Sequence, residues 1–141
     1  MGRVIAIANQ KGGVGKTTTA VNLSACLAEA GRKTLIIDCD PQGNTTQGLG
    51  VNKASLTQTT YDVFLQTQKI YDIIGENVYP NLDILPANID LAGAEIELIR
   101  VPDNSEILKR AIAEIKADYE FILIDCPPSL SLLTINALTA A

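Results

Sequence analysis

The sequence predicts an α/β protein with a mainly parallel sheet flanked by helices. Short apolar runs alternate with segments of helical periodicity along the 141 residues, which is typical of strand-helix-strand units. The apolar runs are rich in β-branched residues and lack polar alternation, as in strands buried on both faces. Aspartates end two of these runs. We expect a single domain spanning residues 1–141, because the chain is long enough for one core and too short for two.

Four segments are predicted to be buried strands: residues 3–8, 34–38, 81–85 and 121–125. Helical spacing begins at Lys16 and is predicted to end at Gly31, with a buried stripe of Ala20, Leu23, Leu27 and Ala30. Further helices are predicted at residues 89–99, from an N-cap at Ser105 to about residue 117, and from residue 132 onward. Residues 43–80 mix turn residues with short apolar clusters, so only short helices are predicted there.

Composition excludes several kinds of function. Sixteen acidic residues against eleven basic ones give a net charge of -5, so these residues alone should bind DNA poorly. Histidine is absent, which removes the commonest general base and metal ligand. The three cysteines are too widely spaced to predict a metal site or disulfide framework. The apolar stretch near the N-terminus is too short for a membrane span, so we expect a soluble, cytoplasmic protein without membrane association.

The segment Lys11-Gly-Gly-Val-Gly-Lys-Thr-Thr18 lies between a predicted strand and a predicted helix, the context that a phosphate-binding loop requires. Its glycines let successive backbone N–H groups turn around an anion. Lys16 supplies a cation to the β- and γ-phosphates, and Thr17 supplies a hydroxyl for Mg²⁺. We therefore predict that ATP or ADP binds with Mg²⁺ at Lys11, Gly12, Gly13, Val14, Gly15, Lys16, Thr17 and Thr18.

Three aspartates follow or end predicted strands at the same edge of the sheet. Asp125 ends the strand at 121–125, where ligands of open α/β folds bind, and it could hold Mg²⁺ through a water. Asp38 and Asp40 close another strand and lie two residues apart, so in extended backbone both would point to the same side. The alternative is a structural role in turns, such as an Asp-Pro turn with Gly43 behind it.

The loop departs from the standard pattern, because Gln10 stands where a glycine is usual and Lys11 is an additional lysine. This deviant Walker motif resembles that of the ParA/Soj family of DNA-partitioning ATPases, within the MinD/ParA superfamily. The runs Asp38-Cys-Asp-Pro-Gln-Gly-Asn-Thr-Thr46 and Cys126-Pro-Pro-Ser-Leu130 resemble the same family. The resemblance covers essentially the whole chain and implies a three-layer P-loop NTPase fold.

The resemblance implies catalytic roles for Lys11, Lys16 and Asp40. Lys11 would reach across a dimer to the phosphates held by the other subunit, and Asp40 would orient the attacking water. Asp38 would support the Mg²⁺ that Thr17 and Asp125 hold.

The resemblance also implies that ATP hydrolysis switches a homodimer that partitions chromosomes or plasmids. The implied partners are a centromere-binding ParB-type protein and DNA, bound nonspecifically on the nucleoid through a C-terminal half. The last predicted helix has no stop signal, so we expect an N-terminal portion of a longer protein that lacks this DNA surface.

Three other functions are considered for a chain with this loop. A MinD-like cell-division ATPase associates with membranes through an amphipathic C-terminal helix, but the Asp-Pro-Gln-Gly-Asn44 run favours the partition branch. A biosynthetic enzyme like dethiobiotin synthetase would phosphorylate a small carboxylate, and the sequence offers no candidate for its substrate pocket. An iron protein of the nitrogenase kind requires cluster cysteines, which are not arranged for it here.

Overall fold

The computed structural model describes residues 2–8 and 14–141, with backbone only for residues 14–16. In this part of the chain five strands form one sheet in the order β1-β5-β2-β4-β3. The strands are β1 (Arg3–Ile7), β2 (Thr34–Asp38), β3 (Gly75–Tyr79), β4 (Leu82–Leu85) and β5 (Phe121–Asp125). All neighbouring pairs are parallel except β3 and β4. The mainly parallel sheet and its four predicted strands are confirmed.

Helices flank the sheet. The α-helices in the described residues are α1 (Val14–Glu29), α2 (Asn44–Gly48), α3 (Thr60–Phe64), α4 (Ile70–Ile73), α5 (Ala92–Glu97), α6 (Ile107–Ala113) and α7 (Leu132–Ala140). Short 3₁₀ turns occur at Lys53–Ser55, Ile89–Leu91 and Lys116–Asp118. No helix in the described ranges combines the length and the apolar character needed to cross a membrane.

The central strands β2, β4 and β5 are buried on both faces, which explains the unbroken apolar runs of β2 and β5. Successive side chains of a strand point to opposite faces. Leu35 and Ile37 therefore join the larger core cluster, with residues of α3, α5, α6 and α7, while Ile36 joins a smaller cluster beneath α1. The result is the expected three-layer arrangement, with β2 and β5 buried at its centre.

Helix α1 ends in a glycine-dependent cap, as the sequence predicts. Gly31 adopts a left-handed conformation with φ of 81°. Its N–H donates to the carbonyl of Ala28, and the N–H of Arg32 donates to the carbonyl of Leu27, both at 3.0 Å. These two bonds form a Schellman motif, which satisfies carbonyls that the end of a helix leaves without partners.

The beginning and the buried face of α1 differ from the prediction. The helix begins at Val14, two residues before Lys16. From Thr17 onward, the fully buried positions of the helix are Ala20, Ser24 and Ala28, whereas Leu23 and Ala30 are exposed. The buried stripe was misplaced because Ser24 satisfies its hydroxyl within the helix, donating to the carbonyl of Val21 at 2.9 Å, and so can be buried despite being polar.

Strand β3 was not predicted. It pairs with β4 through a tight connection in which Asn81 has φ of 65°. Its residues are exposed except Val78, which is half-buried, so it carries no apolar pattern. An antiparallel edge strand packed on one side gives little sequence signal.

Two predicted helices also differ in the structure. Glu106, and not Ser105, precedes α6, and its side chain makes no capping hydrogen bond. The segment predicted at 105–117 is α6 followed by a 3₁₀ turn, and the segment predicted at 89–99 is a 3₁₀ turn followed by α5. Each segment is therefore helical over only part of the predicted range.

A cluster of hydrogen bonds and one ion pair surrounds the buried carboxylate of Asp83 at the amino end of the sheet. Asp83 is 2% exposed, accepts a hydrogen bond from the Tyr119 hydroxyl at 2.7 Å and pairs with the Lys33 ammonium at 3.4 Å. Its second oxygen accepts from the N–H of Asn77 in β3 at 2.9 Å. Burial and the bond to Asp83 raise the pKa of Tyr119. The cluster therefore fastens the edge hairpin to the rest of the sheet.

Replacing Tyr119 with Phe should lower the free energy of unfolding by about 1–3 kcal/mol, because a buried carboxylate loses a hydrogen-bond donor. Chemical denaturation measures this loss. The control is Tyr79→Phe, which removes an exposed hydroxyl that donates to Glu29 and should have a much smaller effect. Equal losses in the two variants would contradict a stabilising role for the buried cluster.

Candidate functional site

Two carboxylates lie side by side at the carboxyl ends of the central strands. Asp38 ends β2, Asp125 ends β5, and the two are register partners. Both are fully buried. Ile7, the last residue of β1, is the partner of Asp125 on its other side. The structure thus brings together the strand-end aspartates that the sequence predicts at one edge, next to the strand that leads into the predicted phosphate-binding loop.

The side chain of Asp38 holds the segment that follows β2. One carboxylate oxygen accepts from the N–H of Asp40 at 3.0 Å. The other accepts from the N–H of Thr46 at 2.9 Å and from its hydroxyl at 2.6 Å. Burial, together with the charge of Asp125, raises the pKa of Asp38 to about 7 against the lowering effect of the hydrogen bonds from Thr46 and Asp40. This pair of carboxylates is an anionic environment that favours a proton or a bound cation.

Two adjacent threonines connect this segment to both strand ends. The Thr45 hydroxyl donates to Oδ2 of Asp125 at 2.5 Å, while Thr46 bonds Asp38 and accepts from the N–H of Ala87 at 3.0 Å. Both threonines are fully buried. Both threonines lie in the run of residues 38–46, and its residue pattern predicts no role for them. The signal available was only their position after Gly43, because the contact with Asp125 spans 80 residues.

Asp40 lies in a turn after β2. Its carboxylate accepts from the N–H of Gln42 at 3.0 Å, and its carbonyl accepts from the N–H of Gly43 at 2.8 Å. Strand β2 ends at Asp38, and Asp40 is the first residue of the turn that follows, so its side chain has different hydrogen-bond partners from that of Asp38. Asp40 is nevertheless 5% exposed and lines a cleft of about 280 Å³ beside Ser129 and Ser131.

Gly43 is required by the turn. It has φ of 63°, and a Cβ there would lie 2.7 Å from the carbonyl oxygen of Ala87. Asp40 therefore shapes the turn, as the turn-forming alternative predicts, and also lies at the wall of a cleft.

The predicted phosphate-binding loop is described only in part. Lys11, Gly12 and Gly13 lie outside the described residues. Val14, Gly15 and Lys16 form the first residues of α1, followed by Thr17, which is half-buried, and Thr18, which is exposed. Helix α1 begins seven residues after Ile7, the end of β1, and packs against β5. A strand precedes the loop sequence and a helix follows it, as predicted, although the helix begins at Val14 rather than at Lys16.

The site has donors suited to Mg²⁺. Within residues 2–8 and 14–141, no three acidic or cysteine side chains cluster as a ready-made metal site. Mg²⁺, however, is usually held by one or two carboxylates together with substrate phosphates. Asp125 and Asp38 supply two buried carboxylates at adjacent strand ends. The residues present therefore fit a magnesium ion that arrives with a nucleotide.

Comparison with known proteins establishes the class. The AAA domain family matches residues 2–141, and the chain belongs to this group of P-loop nucleotide-binding proteins. Within it, the chain is a member of the ParA/Soj family of partitioning ATPases. It is 57% identical over 141 residues to the sporulation initiation inhibitor protein Soj of Bacillus subtilis and 49% identical to the chromosome partitioning protein ParA of Myxococcus xanthus.

The chain spans about half the length of these relatives, covering 56% of the first and 50% of the second. Among solved structures, it resembles a Mycobacterium smegmatis cobyrinic acid a,c-diamide synthase with bound ATP analog and magnesium. The TM-score is 0.95 at 44% identity, over 100% of this chain and 57% of that one. A Borrelia burgdorferi plasmid partition protein bound to AMPPNP gives a TM-score of 0.79 at 29% identity, over 99% and 60%.

Replacing Gly43 with Ala should lower the free energy of unfolding by about 2 kcal/mol or more, since left-handed strain adds to a backbone clash. The matched control is Gly50→Ala, where φ is 84° but a Cβ meets nothing within 4 Å. Strain alone should then account for about 1 kcal/mol. Denaturation of both variants separates the two contributions, and equal losses would argue against the close approach to Ala87.

Proposed function

We propose that this protein is a Mg²⁺-dependent ATPase in which nucleotide state switches dimerisation and DNA association during chromosome or plasmid partition. The observation that carries the proposal is the buried pair Asp38 and Asp125 at adjacent strand ends. Asp125 is the register partner of Ile7, the last residue of β1, and helix α1, which contains Thr17, packs against β5. Open α/β folds bind ligands at this edge.

The proposed phosphate site combines three kinds of group. Backbone N–H groups of Gly12, Gly13 and Gly15 would surround the phosphates, aided by the positive end of α1. Lys16 would neutralise the β- and γ-phosphates of the nucleotide bound in its own subunit. Lys11 would do the same for the nucleotide of a second subunit, and such a cation in trans accelerates phosphoryl transfer by about 10³ to 10⁵.

The proposed metal site consists of Thr17 and Asp125, with Asp38 in support. Mg²⁺ bound there would compensate the negative charge of the phosphates. Asp38 uses both carboxylate oxygens to hold Asp40 and Thr46, so its contribution is to fix the segment beside the metal. Thr17 is the helical residue whose hydroxyl would complete the set.

Asp40 is proposed to orient the water that attacks the γ-phosphate. Its carboxylate is fixed by the N–H of Gln42 and lines a cleft. Phosphoryl transfer depends mostly on positioning and charge compensation, so a modest base is sufficient.

The biological role is proposed from relatives named as chromosome partitioning proteins. The acidic composition of these residues is unfavourable for binding a phosphate backbone. Nonspecific DNA binding is therefore assigned to a C-terminal half, and stimulation of hydrolysis to a ParB-type partner. A biosynthetic role is the second candidate, since one structural neighbour is named a synthase. ATP-dependent retention on DNA distinguishes partition from biosynthesis.

The Lys16→Ala variant tests the proposed function in the full-length protein. Loss of the cation should abolish measurable ATP binding by calorimetry and also ATP-dependent retention on nonspecific DNA, because both need the loaded site. The exposed Lys109→Ala variant is the control and should behave as wild type. Equal ATP affinity in the Lys16 variant would refute its role, and a wild-type protein that binds ATP but never DNA would refute partition.

The Asp40→Ala variant separates binding from hydrolysis. ATP affinity should be retained, while phosphate release should fall by about 10²-fold or more, the typical effect of losing a positioned acid-base group. The matched control is Asp90→Ala, which removes an exposed carboxylate from the nearby 3₁₀ turn. Normal phosphate release by the Asp40 variant would remove this residue from the mechanism.

A further inference from the structure

Thr45 and Thr46 form hydrogen bonds with different strand ends. The Thr46 hydroxyl donates to Asp38 and accepts from the N–H of Ala87. Thr46 therefore connects the segment after β2 to the segment after β4. Thr45 directs its hydroxyl to Asp125 on β5, at 2.5 Å. A hydroxyl that donates to a carboxylate makes a short, charge-assisted bond, stronger than one between neutral groups. The orientation of Asp125 is therefore tied to the position of Thr45.

The donor itself is held rigidly. Thr45 is the second residue of α2, is fully buried, and its carbonyl accepts from the N–H of Leu49 at 3.1 Å. Helix α2 packs against α1, and Gly48 of α2 lies against Val21 of α1, where a Cβ would be 3.3 Å from the Val21 methyl. The hydroxyl that touches Asp125 is thus fixed relative to the helix whose first turn contains Thr17.

We propose that Thr45 is a positioning residue for the metal ligand Asp125. By holding Oδ2, it restricts rotation of the carboxylate and keeps it set for the Mg²⁺ that accompanies the nucleotide. This inference rests on the proposed function, in which Asp125 holds that ion. Hydrogen-bond partners of metal ligands orient them, and losing one typically lowers metal affinity by about 10- to 100-fold.

The test uses Thr45→Val in the full-length protein, since Val keeps the branched shape and removes only the hydroxyl. Mn²⁺ serves as a paramagnetic substitute for Mg²⁺, and electron paramagnetic resonance measures free Mn²⁺ during titration of the protein with ADP present. ADP affinity is also measured in EDTA, without any divalent ion. The conservative variant Thr45→Ser retains the donor.

The matched control is Thr34→Val. Thr34 is also fully buried, and its hydroxyl donates to the carbonyl of Arg32 at 2.8 Å, at the opposite end of β2. Its loss should affect stability without affecting the metal.

We expect Thr45→Val to weaken Mn²⁺ binding about tenfold or more, to leave ADP affinity in EDTA unchanged, and to be rescued by Thr45→Ser. Thr34→Val should bind Mn²⁺ like wild type.

Wild-type Mn²⁺ affinity in Thr45→Val, or an equal loss in Thr34→Val, would overturn the inference. If Thr45→Val fails to bind ADP in EDTA, Thr45→Ala is measured under the same criteria. A wild-type protein that binds no Mn²⁺ with ADP would instead refute the proposed function.

Discussion

The structure depends on placing two carboxylates side by side in the interior at the ends of β2 and β5. Neither Asp38 nor Asp125 reaches solvent, and each raises the energy of the other's ionised form. Backbone and hydroxyl donors from the segment after β2 compensate part of this charge. The same contacts determine the path of that segment, so the electrostatics of the sheet edge and the shape of the site have one origin.

The parallel part of the fold could be predicted because burial on both faces leaves unbroken apolar runs, as in β2 and β5. Strand β3 could not be predicted, since its residues are largely exposed and carry no apolar pattern. Its position depends on pairing with β4 and on the contact of Asn77 with Asp83. The end of α1 was predictable because Gly31 acts locally. The start of α6 was not, because Glu106 precedes it without a capping side chain.

Some residues of the candidate site could likewise be predicted from the sequence, and others could not. Asp38 and Asp125 were predicted because a strand followed by an acidic residue places that residue at the sheet edge whatever the rest of the chain does. The roles of Thr45 and Thr46 depend on how the segment after Gly43 returns across the strand ends, and no local pattern encodes that path. Asp40 is intermediate: its presence at the edge was predicted, while its orientation follows from a turn that requires Gly43.

The contact between Gly48 and Val21 has a consequence for how this sequence can vary. The two residues belong to different helices, and a Cβ at position 48 would lie 3.3 Å from the Val21 methyl, closer than ordinary van der Waals contact. A larger residue at position 48 would therefore require Val21 to shift by a few tenths of an ångström or to be replaced by a smaller residue. Positions 21 and 48 would thus be expected to change together, because their contact sets the spacing between α1 and the helix that carries the hydroxyl donor to Asp125.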